Sequence, residues 1–204
     1  MSQQIPLREQ LINLGVELVT TDGVAALGLR EIARRAGVSH GAPRRYFPTH
    51  HSLLSAIAQR GFADHGAQFT AATRETDSAR AQLRALSHTY VEYAVRNRGM
   101  FELMFRHELL DSERHTSNQP RLRESTIPLF THIVSLVADC HIDSPPKRPA
   151  PLIAAALWAN LHGIAQLWLW GSLQIALTDS IDTPNQLIQL IDTTIDSHLG
   201  PVGS

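Results

Sequence analysis

The chain has one cysteine in 204 residues, Cys140, so it can form no intramolecular disulfide. The reducing cytoplasm is the expected setting. No basic segment followed by an apolar one opens the sequence, so no secretory signal is expected. Long hydrophobic runs are scarce too. The most apolar stretch, Pro151 to Leu177, is interrupted by Asn160, His162, Gln166 and Gly171, and reads as a buried or interface helix with no membrane role. Neither sign of charge dominates. Eighteen basic against 19 acidic side chains leave a net charge of −1, which argues against indiscriminate coating of a polyanion.

The motifs of catalysis are missing as well. There is no G-x-S-x-G elbow, no P-loop, no G-x-G-x-x-G and no H-E-x-x-H. Cys140-His141 with Asp143 lacks both the ligand spacing of a zinc site and an orienting partner. The eleven histidines are scattered. We expect no enzyme activity, no cofactor and no metal.

What is present is an ordinary globular composition, 43% hydrophobic and 18% charged, which excludes wholesale disorder. The charge is unevenly placed. Residues 1–51 hold six arginines against four acids, while 52–204 hold twelve basic against fifteen acidic groups. A modestly basic head on an acidic body suits local phosphate contact.

The organising stretch lies in that head, from Leu27 to Leu54. Its spacing predicts a short helix over about Leu29–Ala36, a tight turn at Gly37-Val38, a second helix over about His40–Phe47 and a third after Pro48-Thr49. Gly37 suits the left-handed residue that ends a helix, and Ser39 suits an N-cap. Leu29, Ile32, Ala33 and Ala36 form one apolar face, with Tyr46, Phe47, Leu53, Leu54 and Ile57 behind the second helix. Outward from the second helix stand His40, Gly41, Ala42, Arg44 and Arg45. Gly41 and Ala42 permit close approach to a surface, and the guanidinium forks of Arg44 and Arg45 match guanine edges or phosphates. This is the helix-turn-helix layout, whose second helix reads a major groove. The alternative is a capped, solvated helix pair whose arginines only maintain solubility.

The segment resembles the DNA-binding region of the tetracycline-repressor (TetR) family of bacterial transcriptional regulators. The match runs through Gly23, Leu29-Arg30-Glu31-Ile32-Ala33, Ala36-Gly37-Val38-Ser39, Tyr46-Phe47-Pro48 and Leu53-Leu54. The resemblance implies a homodimer that binds a double-stranded DNA operator, with a ligand-responsive helical domain behind each head. It places Arg30, Ser39, His40, Gly41, Ala42, Arg44 and Arg45 on the DNA side, base edges falling to His40 and the three arginines, with Tyr46 and His50 at phosphates. Two positions depart from the family. Arg44 stands where a tyrosine is usual, and His50 where a phosphate-contacting lysine is usual. An imidazole does that job well only when protonated.

Behind the head we expect a helix over about Pro6–Thr20, a long helix from His50 to about Thr73, then helices over about Ala79–Asn97, Met100–Leu110 and Pro120–Ala138, the last kinked or split at Pro128. Asp111–Gln119 reads as a loop and Ser144–Pro151 as a stiff connector. Two apolar helices, Leu152–Trp170 and one from Thr183-Pro184 onward, close the chain. The family pattern pairs such helices with their copies in a four-helix bundle; packing wholly within one chain is the alternative.

Trp158…His162-Gly163 resembles the tryptophan–histidine–glycine signature of one TetR C-terminal subgroup. His162 either anchors a ligand or is a core histidine satisfied by a neighbouring group. With it, Tyr90, Tyr93, Met104, Phe105, His107, Phe130 and Trp158 are the candidate lining of an effector pocket, which the family pattern favours. Each alone is also ordinary core. The expected protein is thus all-α and cytoplasmic. A three-helix DNA-binding head spans residues 1–50 and an effector-binding and dimerisation body spans 51–204, the whole acting as a repressor released by a small apolar or aromatic molecule. A DNA-binding regulator without an effector, and a helical carrier or enzyme with a vestigial head, are the alternatives.

Overall fold

The third helix of the head begins at a reciprocal cap. Thr49 Oγ1 accepts the Ser52 N–H at 3.0 Å, and Ser52 Oγ accepts the Thr49 N–H at 3.2 Å. This satisfies two donors that a helix N-terminus otherwise leaves open. The computed structural model describes residues 5–106, 122–141, 148–177 and 183–200. Its helices are α1 (Leu7–Thr21), α2 (Leu29–Arg35), α3 (His50–Thr73), α4 (Ala79–Arg96), α5 (Arg98–Met104), α6 (Leu122–Asp139), α7 (Ala150–Leu169), α8 (Ser172–Ala176) and α9 (Thr183–Leu199). Among the described residues no strand occurs, as the sequence leads one to expect of an all-α chain.

The described residues fall into two compact units, one drawn from Met1–Asp64 and Asn97–Thr126 and the other from His65–Arg96 and Ile127–Ser204. In the first, α1 packs on α2 and α5. Leu11, Leu18, Val19, Ile32, Ala33, Phe47, Leu53, Ile57, Phe101 and Met104 are fully buried there. The approach of α5 to the end of α1 is backbone on backbone. A Cβ on Gly99 would collide with the Val19 carbonyl oxygen and lie 3.6 Å from Gly23 Cα. The cation of Arg8 sits 5.5 Å over the Phe47 ring, a favourable placement against the ring quadrupole.

Gly37 takes the left-handed conformation expected of it, φ +66°. The segment after it departs from expectation. In place of a helix over His40–Phe47 there is a tighter succession of turns, with a 3₁₀ turn at Pro43–Arg45. Ala42 N–H bonds the Ser39 carbonyl at 2.9 Å, Arg44 the Gly41 carbonyl at 3.2 Å and Arg45 the Ala42 carbonyl at 3.2 Å, all three residues apart. Pro43 is the reason. An α-helix would need its N–H to reach the Ser39 carbonyl, and proline has none. Ser39 therefore serves the turn through its carbonyl, and the hydroxyl cap expected of it does not form.

In the second unit α7 packs against α4 and α9, and α8 against α7. The buried stripes are those of the sequence pattern: Leu157, Leu161 and Ala165 on α7, Ile191 and Ile195 on α9. Ser78 caps α4, its Oγ accepting the Ala81 N–H at 3.2 Å. In the same first turn of α4, Arg80 reaches Asp196 and the Gly200 carbonyl at the end of α9, each at 2.5 Å, where a cation complements a helix C-terminus. Arg84 and His88 share Asp192 at 2.6 and 2.8 Å. Of the two outcomes expected at Pro128, a kink or a split, the helix is not split: α6 runs on through Pro128, which is exposed. The turn α8 follows a left-handed Gly171, φ +77°, and has no counterpart among the expected helices. By length and composition alone α7 could cross a membrane.

Candidate nucleic-acid interface

The head carries five arginines between Arg30 and Arg45, and the structure sorts them into two groups. Arg34 grips Glu31 through two bonds of 2.8 and 2.6 Å. Arg35 reaches Glu31 at 3.0 Å and Asp22 at 2.7 Å. The bonds from Arg34, then from Arg35, hold the Glu31 carboxyl down to about 2, so Glu31 is ionised at neutral pH. Arg35 thereby pins α2 to the residue following α1. Arg30, Arg44 and Arg45 are exposed, and among the described residues none of the three meets a carboxylate. Their charge is directed outward, uncompensated.

The unpaired arginines flank an open strip. His40 and Gly41 are exposed and Ala42 is half-buried. A Cβ on Gly41 would meet nothing within 4 Å, and its φ is not positive. The fold itself therefore does not require glycine there. Tyr46, placed in sequence both behind the second helix and at a phosphate, is 39% exposed, while neighbouring Phe47 is fully buried. Ser39 is exposed beside His40.

His50 sits differently from the lysine it replaces. Its Nε2 donates to the Leu27 carbonyl at 2.8 Å, one residue before Gly28, the N-cap of α2. The imidazole thus holds the entry of α2 against the entry of α3, where a phosphate contact was expected of that nitrogen. Pro43 is the residue that sequence reasoning missed. Its missing N–H was visible in the sequence as the signal for a turn tighter than an α-helix.

The described candidate effector residues are drawn from both units. Met104 is fully buried in the first unit, where Phe105 lies 4.8 Å from Phe101 and 5.8 Å from Phe62 by ring centroids. Tyr90, Tyr93, Phe130, Trp158 and His162 belong to the second unit. His107 lies outside the described residues, as does Asp143. Trp158 Nε1 donates to the Tyr90 hydroxyl at 3.2 Å, and that hydroxyl lies 2.8 Å from His162 Nδ1. The oxygen already accepts from the indole, so its own proton is best placed on Nδ1, which assigns the remaining ring proton to Nε2 of His162. Burial pushes the Tyr90 phenol up and the His162 imidazole down, so both are neutral at pH 7. Phe130 stands edge-on to Trp158 at 6.3 Å. Among the described residues no cluster of His, Cys, Asp and Glu could hold a metal ion.

Comparison with known proteins agrees with this geometry. Residues 11–57 match the family model of bacterial regulatory proteins of the tetR family, and residues 83–190 match that of the tetracyclin repressor-like C-terminal domain. A nucleoid occlusion factor, SlmA, of Actinobacillus pleuropneumoniae is 25% identical over 104 residues, 50% of this chain and 52% of that protein. The chain thus spans about half the length of the curated relatives it matches. A protein of unknown function from Rhodococcus sp. RHA1 has the same fold over 97% of this chain and 96% of its own, with a TM-score of 0.75 and 29% identity. The multidrug binding protein EbrR, solved with imidazole, aligns over 98% of both chains with a TM-score of 0.55 and 25% identity. The chain belongs to the TetR family of DNA-binding transcriptional regulators, which are not enzymes.

Proposed function

We propose that this regulator is a cytoplasmic homodimeric repressor, released from its operator by a small, uncharged, apolar or aromatic effector. The division of labour follows residues 1–50 for reading and 51–204 for sensing and dimerisation. The observation that carries the DNA-reading half is the contrast among the head's arginines. Arg34 and Arg35 are neutralised within the head, whereas Arg30, Arg44 and Arg45 face solvent around the small residues Gly41 and Ala42. His40, Arg30, Arg44 and Arg45 read base edges; Ser39, Tyr46 and the backbone near Leu29 fix phosphates. His50 sets the angle between α2 and α3.

Exposed apolar side chains on the last helices support a dimer. Leu152, Trp158 and Leu167 on α7, Trp170 beyond it, Ile175 on α8 and Ile188 on α9 remain in solvent in one copy. A second copy covers such a surface and presents two heads to half-sites about 34–36 Å apart. The aromatic residues of the second unit support an apolar effector, and the EbrR relative is described as a multidrug binder. For near-complete release the effector must prefer the non-binding conformer by about ten thousandfold.

Unbiased selection of bound DNA sequences, followed by a small-molecule screen for release, tests both halves. A second reading keeps DNA binding and drops the effector; the partial similarity to nucleoid occlusion factors favours it. It predicts that no small molecule releases the selected DNA.

A further inference from the structure

The second unit contains a buried polar atom that its own fold leaves without a partner. His65, near the middle of α3, is 1% exposed, and among the described residues its Nε2 meets no hydrogen-bonding group. Leaving such an atom unpaired costs the fold, and native proteins rarely leave one without a use. Three aromatic rings surround the imidazole: Phe69 at 4.1 Å, Tyr93 at 4.6 Å and Tyr90 at 5.5 Å between centroids. None of these neighbours carries a formal charge at neutral pH. The Tyr90 hydroxyl is already engaged with Trp158 and His162. His65 was not among the residues that sequence reasoning chose.

We propose that His65 is the polar anchor of a binding site for a planar, uncharged aromatic molecule bearing a hydroxyl, a phenol in the broad sense, with Phe69, Tyr90 and Tyr93 as its apolar walls. This rests on the effector-release reading and specifies its ligand. A phenolic hydroxyl both donates and accepts, so it satisfies Nε2 in either tautomer. The rings supply offset-stacking and edge contacts for a planar body, and the absence of a carboxylate among them disfavours a cation.

The ring spacings are already contact distances, so a further ring enters only by spreading His65 and Phe69 from Tyr90 and Tyr93. The first pair lies on α3 and the second on α4. Entry of the ligand therefore displaces the part of α3 that carries His65 and Phe69.

The test uses the full chain with 2-naphthol and naphthalene as probes, by calorimetry and by the ¹⁵N resonances of labelled histidine. We expect 2-naphthol to bind about tenfold or more tighter than naphthalene, the ratio that about 1.4 kcal/mol from one buried hydrogen bond produces. We expect 2-naphthol to shift a wild-type imidazole signal that is absent in His65→Gln. His65→Leu should bind both probes alike. Equal affinities in the wild type, a preference that survives His65→Leu, or a His65 signal indifferent to 2-naphthol overturns the site. If the site fails while another small molecule releases selected DNA, the effector reading stands without it. If 2-naphthol binds at His65 and no small molecule releases the DNA, the site stands and the effector reading falls.

Discussion

His50 Nε2 lies 2.8 Å from the Leu27 carbonyl, and this contact joins the first residue of α3 to the approach of α2 across 23 residues of sequence. A lysine at the same place would reach outward to a phosphate; the imidazole reaches inward. His50→Ala should cost the fold about 0.5–1.5 kcal/mol, the ordinary net value of one hydrogen bond, and weaken operator binding alike on all sequences. The salt dependence separates the roles. A lost phosphate contact lowers the slope of log K against log salt by about one, whereas a lost positioning contact leaves it unchanged. We expect no change of slope, measured by titration at several salt concentrations.

Arg34 has a carboxylate partner inside the head, and among the described residues Arg44 has none. Arg44→Ala should cost about 1–3 kcal/mol on the operator and relax specificity at one base pair. Arg34→Ala removes a charge already paired with Glu31 and should change affinity several-fold less. Gly41→Ala provides an independent check. The site is open and unstrained, so thermal stability should hold or rise slightly while operator affinity falls. Loss of stability in Gly41→Ala would assign the glycine to the fold.

At Gly99 the assignment is reversed. The Val19 carbonyl occupies the place of a Cβ there, and backbone cannot move aside as a flexible side chain can. Gly99→Ala should destabilise by about 1–3 kcal/mol, the usual range for overpacking, read as a lower urea midpoint with unchanged slope. A wild-type midpoint would mean that α5 and the end of α1 separate more readily than their contact suggests.

Much of this architecture was legible because it rests on local rules. Gly37 marks a helix end by chemistry that needs no distant partner, the third helix opens after Pro48-Thr49 as its sequence indicates, and the apolar stripes of α7 and α9 follow a single period. What was not legible depended on a missing atom or a distant neighbour. The turn at Pro43–Arg45 follows from one absent N–H. The inward aim of His50 depends on a carbonyl 23 positions earlier. His65 escaped notice because a histidine in an otherwise unremarked stretch of α3 carries no pattern. Only burial among rings from α4 sets it apart.

The exposed apolar side chains of the last helices give a prediction about assembly. Ile188→Glu with Leu167→Glu replaces surface that one chain leaves in solvent, so each monomer should keep its helical content by circular dichroism. A second copy, however, would have to bury unpaired carboxylates. Sedimentation should therefore show a dimer for the wild type and a monomer for the double variant, with operator binding lost alongside. An unchanged dimer would move the interface to another face.

Acid stability depends on the same histidine that we propose as a ligand anchor. Burial lowers the His65 imidazole from 6.5 to about 4, and burial lowers His162 in the same direction. In the unfolded chain both take up a proton as pH falls through 6.5; in the fold His65 resists until about 4. Between those values the unfolded state binds more protons, so stability is complete above pH 6.5 and declines as acid is added. For His65 alone the loss by pH 5 is on the order of 2 kcal/mol. Glu31, held near 2, favours the fold by staying ionised, and its contribution is lost only below the ordinary carboxylate range, beneath this window. Urea unfolding at pH 7 and pH 5 should therefore show a clear drop for the wild type and a much smaller one for His65→Phe, which keeps the ring cluster and removes the titrating group. Equal drops in the two proteins would place the acid sensitivity elsewhere and show that His65 accepts a proton without opening the cluster around it.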